Sequence, residues 1–147
     1  MPTVLVIDDD PHFLEEMEQM LAGAGYEVLT AADGLEGVKL LEKRHHTIDL
    51  AIVDLSLPGI NGFEIIGAIS RRPSDIRIIA TTGVYKTNHL EAAGTLGAHA
   101  VIRKPPAGAP LPRKEWLGTV RQLLGSKARE RRAGAGESST QDCSPEI

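Results

Sequence analysis

The stretch Thr3-Val4-Leu5-Val6-Ile7 runs directly into Asp8-Asp9-Asp10-Pro11, and this junction decides how the rest of the chain is read. Five apolar residues rich in β-branched side chains make a short strand. The run is continuously apolar, as expected of a central strand in a parallel sheet covered on both faces. Asp10-Pro11 then offers an N-cap with proline at the first helical position. Phe13, Met17, Met20, Leu21 and Ala24 follow as an apolar stripe at helical spacing, ending near Gly23 and Gly25.

The same unit recurs along the chain. Runs begin at Tyr26 (Tyr26-Glu27-Val28-Leu29-Thr30), Asp49 (to Val53), Ile76 (to Ala80) and His99 (to Arg103), so successive starts lie 23, 23, 27 and 23 residues apart. That step holds one strand, one short helix and two loops. The second run alternates more than the first and third, as an edge strand does. Asp33-Gly34-Leu35-Glu36 reads as a capping box ahead of Leu35, Val38 and Leu41, with Lys43 and Arg44 suited to the helix C-terminus. Asn61-Gly62-Phe63-Glu64 is a second box, leading to Ile65, Ile66 and Ile69 and stopped by Pro73, and Asn88-His89-Leu90-Glu91 is a third, weakened by Gly94 and Gly97. A last helix over about 113 to 125 gathers Trp116, Val120, Leu123 and Leu124. Five strand-then-helix units in alternation predict an α/β fold, a five-stranded parallel sheet doubly wound as (βα)5.

Composition bounds the function. The 147 residues fit one domain, expected over 1–125; the remainder, 126–147, holds little to bury and reads as a disordered tail. The 16 basic and 20 acidic side chains give −4, of which the tail carries none because its four basic and four acidic residues cancel. A negatively charged domain argues against broad phosphate-backbone binding, and aromatics at 3% argue against base-stacking platforms. Cys143 has no internal disulfide partner, and the N-terminus lacks both a signal peptide pattern and a membrane span, so a cytoplasmic location is expected.

In a doubly wound sheet, ligands sit beyond the carboxyl ends of the strands. Asp8, Asp9 and Asp10 follow the first run, Asp54 the third, Thr81 and Thr82 the fourth, and Lys104 the fifth. At an effective dielectric of about 20, two carboxylates some 4 Å apart repel by about 4 kcal/mol, so such a cluster calls for a hard divalent cation. With oxygen ligands and no nitrogen or sulfur, Mg²⁺ fits and Zn²⁺ does not. Asp54, at the centre, is suited to attack phosphorus and become an aspartyl-phosphate. Lys104 and the Thr82 hydroxyl then face the charge that spreads over the phosphoryl oxygens.

The set Asp8-Asp9, Asp54 followed by Leu55-Ser56-Leu57-Pro58-Gly59 and Asn61-Gly62, Thr82-Gly83 and Lys104-Pro105 resembles the receiver domain of two-component response regulators, the family of the chemotaxis protein CheY. The resemblance covers about residues 3 to 125 and implies the flavodoxin-like strand order 2-1-3-4-5. It implies that Asp54 accepts a phosphoryl group from a histidine kinase or histidine phosphotransfer protein. Asp8, Asp9, Asp54 and the backbone carbonyl of Ser56 would hold Mg²⁺, with Asp8 acting largely through water. Thr82 and Lys104 would bind phosphoryl oxygens, and the Lys104–Pro105 bond would be cis. Thr82 is preferred to Thr81 because it lies 22 residues before Lys104, the family's usual spacing, and precedes Gly83. The chain departs from the family at Val101, where a switching Tyr or Phe is usual.

These features predict a stand-alone receiver whose output is a protein contact, since no room for a DNA-binding domain follows residue 125. It would catalyse only its own phosphorylation and slow dephosphorylation. Two rivals are a Mg²⁺-dependent phosphohydrolase, disfavoured because Ser56 stands where a leaving-group acid is needed, and a scaffold acting unphosphorylated. His12 lies in the first turn of the first helix near the acidic pocket, with tuning of that pocket as the alternative to a plain helix residue; His45-His46 reads as a solvated helix end, and Tyr85-Lys86 follow the fourth strand, with a partner surface as the alternative to a plain loop.

Overall fold

The computed structural model describes residues 1–57, 59, 61–71, 75–83, 97–106 and 109–125. The helix expected from Asn88, the Tyr85-Lys86 pair, Cys143 and the tail 126–147 lie outside the described residues.

Five parallel strands form one sheet: β1 (Thr3–Ile7), β2 (Glu27–Ala31), β3 (Ile48–Asp54), β4 (Arg77–Thr82) and β5 (Ala100–Arg103), in the order β2-β1-β3-β4-β5. The order and the edge position of the second strand are as expected. Helices α1 (Pro11–Gly23), α2 (Gly34–Arg44) and α3 (Gly62–Arg71) connect the first four, and a further helical stretch covers 113–125. None of the helices among the described residues is long and apolar enough to cross a membrane.

The three caps that fall on described residues are made. Asp10 accepts the N–H of His12 at 3.0 Å, Asp33 that of Glu36 at 2.8 Å, and Asn61 that of Glu64 at 3.0 Å. Strand ends differ by a residue or two from the sequence reading. β4 runs through Thr82 because its two threonines, themselves β-branched, continue the ladder opposite Ile102 and Arg103.

Two apolar cores lie on opposite faces of the sheet. Leu5, Ile7, Ala51, Val53, Ile78 and Ala80 point to the side of α2 and α3, where Ile65, Ile66 and Ile69 close over them. Val4, Val6, Leu50, Ile52 and Ile79 point to the other side, against Phe13, Met17 and Leu21 of α1 and Trp116 and Val120 of the 113–125 helix. Because side chains alternate along a strand, these rows decide which residues meet at the carboxyl edge. Asp8 continues the row of Val4 and Val6, Asp54 that of Leu50 and Ile52, and Lys104 that of Ala100 and Ile102. All three rows belong to the α1 face.

Two glycines allow close approach beside the strands that carry the acidic edge. A Cβ on Gly37 would fall 2.6 Å from Ile7 Cδ1, so α2 lies tight on β1, and one on Gly62 would fall on the Asp54 carbonyl oxygen and 2.7 Å from Leu55 Cα. Only glycine lets α3 begin directly against the backbone that carries Asp54. The expected cis bond at Lys104–Pro105 is corrected: among the described residues every peptide is trans, the isomer that an X–Pro amide favours by about 0.5–1 kcal/mol.

Candidate functional site

Asp8 leaves β1 with its own N–H bonded to the Ala31 carbonyl at 3.1 Å, and its Oδ1 accepts the N–H of Asp10 at 2.9 Å. That second bond folds the turn that carries Asp9, which stays exposed, while Asp10 is spent on capping α1. Asp54 ends β3, and its Oδ1 accepts the Ser56 N–H at 2.9 Å, a short turn that keeps the carboxylate at the sheet edge. One carboxylate oxygen from each of Asp8, Asp9 and Asp54 lies within 4.8 Å of the others. Asp8 and Asp54 are 1% and 3% exposed.

Lys104 closes the cluster from β5. Its backbone N–H reaches the Thr82 carbonyl at 2.9 Å, and its Nζ lies 2.8 Å from Asp8 Oδ2 and 3.8 Å from Asp54 Oδ2. Burial pushes the Asp8 carboxyl above its ordinary value, against the opposing pull of the Lys104 hydrogen bond and the Asp10 N–H. Burial likewise raises Asp54, against the Ser56 N–H and the Lys104 charge. For Lys104, burial favours the neutral amine, but the hydrogen bond to Asp8 and the charges of Asp8, Asp54 and Asp10 together outweigh it, and its pKa rises. Loss of hydration, more than an imbalance of charge, is thus what raises the two carboxyls. Three convergent carboxylates with no nitrogen or sulfur donor among them suit a hard, oxygen-seeking cation such as Mg²⁺.

The threonines are placed less simply. Thr81 stands opposite Asp54 in the β3–β4 register and continues the row of Ile79; its hydroxyl donates to the Val53 carbonyl at a long 3.5 Å. Thr82 is buried on the alternate row, that of Ile78 and Ala80, and is tied to Lys104 through its carbonyl. His12 is 81% exposed and pairs with Glu16 at 3.3 Å, one helical turn away. The rings of His45 and His46 lie 3.9 Å apart, tilted by 43°, at the end of α2, with His45 Nδ1 3.2 Å from the Glu42 carbonyl. Val101 packs against the α2–α3 core.

Two features escape the sequence reading. Gly62 is noticeable there only as part of a cap, whereas its value is the room it leaves at Asp54. Phe13 reads as one more apolar residue of α1, yet the Lys104 Nζ sits 4.6 Å from its ring centroid. The one sequence signal for either is proximity to the acidic edge.

With fold and site in view, the comparisons with known proteins agree on a class. The chain matches the response regulator receiver domain over residues 4–113, and it belongs to that family, one of two-component signalling. It is similar to the transcriptional regulatory protein AfsQ1 of Streptomyces coelicolor, 37% identical over 111 residues that cover 76% of this chain and 48% of AfsQ1. It is also similar to the response regulator SaeR of Staphylococcus aureus, 30% identical over 105 residues covering 71% and 45%. The chain thus spans about half the length of the curated relatives it matches. Among solved structures, a CheY-like receiver domain protein from Methanospirillum hungatei superposes with a TM-score of 0.78 at 29% identity, covering 88% of this chain and 98% of that one. A CheX-CheY-BeF3-Mg²⁺ complex from Borrelia burgdorferi contains a chain that matches with a TM-score of 0.75 at 25% identity, covering 84% and 89%.

Proposed function

We propose that Asp54 accepts a phosphoryl group from a histidine kinase or histidine phosphotransfer protein in a Mg²⁺-dependent reaction, and that phosphorylation changes the contacts this domain makes with other proteins. The observation that carries the reading is the convergence of Asp8, Asp9 and Asp54 within 4.8 Å, with the Lys104 ammonium against two of them.

In the transfer, an Asp54 carboxylate oxygen forms a bond to phosphorus as the donor's phosphorus–nitrogen bond breaks. The departing imidazole keeps the electron pair and takes a proton from solvent. Asp8, Asp9, Asp54 and the Ser56 carbonyl are the groups that would hold Mg²⁺. The ion supplies positive charge to the crowded carboxylates and to the phosphoryl oxygens. Lys104 brings a fixed ammonium to the same oxygens, and Thr82 is the hydroxyl assigned to another. Ser56, two residues past the acceptor, has no acidic proton for a leaving group, so the domain turns over only its own phosphate, as a cytoplasmic signalling module and not a phosphohydrolase. The Mg²⁺ and beryllofluoride named in the Borrelia complex support this chemistry for a protein of the same fold.

Incubation with a small phosphodonor such as acetyl phosphate is the test. Label is expected only with Mg²⁺, and Asp54→Asn and Asp54→Ala abolish it. Persistent labelling of both variants would move the acceptor elsewhere.

A further inference from the structure

A lysine that must meet a phosphoryl group carries its charge on a long stem, and something has to hold that charge in place. Lys104 makes two ionic contacts here, to Asp8 and Asp54. Its third neighbour is aromatic: Nζ lies 4.6 Å from the centroid of the Phe13 ring, well inside the range at which an ammonium is drawn to the negative face of a π system. Phe13 is held firmly. It is 4% exposed, and Trp116, fully buried, meets it edge-on with centroids 6.0 Å apart and planes at 61°. Its position relative to Asp8 is set over a short length of chain, because the Asp10 N–H bonds to Asp8 while the Asp10 side chain caps the helix that bears Phe13.

The three contacts differ in what happens when the site fills. Asp8 and Asp54 are also the groups expected to hold the cation, so their charge is then shared with it. The ring is not a ligand and loses nothing. We propose that Phe13 is the positioning residue for Lys104: its π face holds the ammonium at the level of the phosphoryl oxygens once the carboxylates have turned to the metal. A leucine would fill the same volume on the α1 stripe but would present no negative face. The inference rests on the Asp54–Lys104 reading above and adds to it the residue through which the lysine acts.

Three replacements separate this role from packing. Pentafluorophenylalanine at position 13 keeps the ring's shape and removes its negative face, Phe13→Leu keeps apolar bulk, and Phe13→Tyr keeps the face. With saturating Mg²⁺ and acetyl phosphate, labelling of the first two is expected to slow about 5-fold, from a cation–π contact of ordinary strength, while Phe13→Tyr stays near the parent rate. Mg²⁺ affinity is expected to change less than about 2-fold in all three, since the ring touches no ligand bond. A second readout needs no phosphorylation: with Mg²⁺ bound, the Lys104 ε-methylene resonance is expected upfield by the ring current of Phe13, and this displacement disappears in Phe13→Leu. A pentafluorophenylalanine variant labelled at the parent rate, or a parent protein whose Lys104 resonance shows no ring-current shift with Mg²⁺, would overturn the role of Phe13. Lys104→Met labelled at the parent rate would instead overturn the Asp54–Lys104 reading beneath it.

Discussion

Replacing Asp54 by Asn removes one charge from a crowded pocket and leaves its shape intact, because the amide oxygen still accepts the Ser56 N–H that Asp54 Oδ1 accepts at 2.9 Å. The balance of forces can be worked from the distances. At an effective dielectric of about 20, Asp8, with an oxygen within 4.8 Å, repels the Asp54 carboxylate by about 3.5 kcal/mol or more, and Lys104 at 3.8 Å attracts it by about 4.4 kcal/mol. Asp9 and Asp10 add smaller repulsions, because both are exposed and screened by water and salt. These Coulomb terms nearly cancel. What remains is the lost hydration of a carboxylate that is 3% exposed, the main reason its pKa is raised. Asp54→Asn is therefore expected to stabilise the metal-free protein at pH 7 by about 1–2 kcal/mol, the scale of a single buried polar group.

The pH dependence has a definite sign. Since the folded pKa of Asp54 lies above the ordinary 3.8, the native state binds more protons than the unfolded one between those two values, and stability falls as pH rises through that window. The advantage of the Asp54→Asn variant over the parent should be full above the raised pKa and shrink toward zero below 3.8. Mg²⁺ acts in the opposite direction on the parent: at ten times its dissociation constant it adds about 1.4 kcal/mol by linkage, and it adds far less to the variant. Urea unfolding followed by the emission of the single tryptophan, Trp116, in EDTA and in Mg²⁺ at several pH values, measures all of this. A variant less stable than the parent in EDTA at pH 7, or a gain that persists undiminished at about pH 3, below the ordinary carboxyl pKa, would refute the picture of a carboxylate destabilised by its lost hydration.

Gly62→Ala is expected to destabilise by about 1–3 kcal/mol, the range for overpacking, and to weaken Mg²⁺ binding by displacing the Asp54 backbone. Gly118, with open space around its Cβ position in the 113–125 helix, is the control: Ala there should gain about 0.5–1 kcal/mol, so the two changes differ in sign. Thr82→Ala is expected to slow acetyl phosphate labelling about 10- to 100-fold, the worth of a hydrogen bond to a charged group, and Thr82→Ser to restore most of it. A larger loss from Thr81→Ala would give the hydroxyl role to Thr81.

The fold is legible in the sequence because its signals are local. β-branched runs at a regular step, caps at Asp10, Asp33 and Asn61, and the contrast between a continuously apolar first strand and an alternating second one are each carried by a few adjacent residues. The acidic cluster is legible too, since any residue just past a parallel strand must reach the carboxyl edge. What cannot be read is which row a residue continues. Thr81 and Thr82 are neighbours in sequence and belong to opposite faces; the spacing to Lys104 favours Thr82, whereas the register sets Thr81 opposite Asp54 and Thr82 opposite Arg103. Phe13 shows the same limit: its place in the α1 stripe is satisfied equally by any large apolar side chain. Its distance to the Lys104 ammonium depends on β5 delivering that lysine to the α1 face, 91 positions later in the chain. A helical period records that a residue is buried. It does not record whether the neighbour it is buried against is a methyl group or a charge, and at this site that difference decides whether the ring merely fills space or holds the lysine.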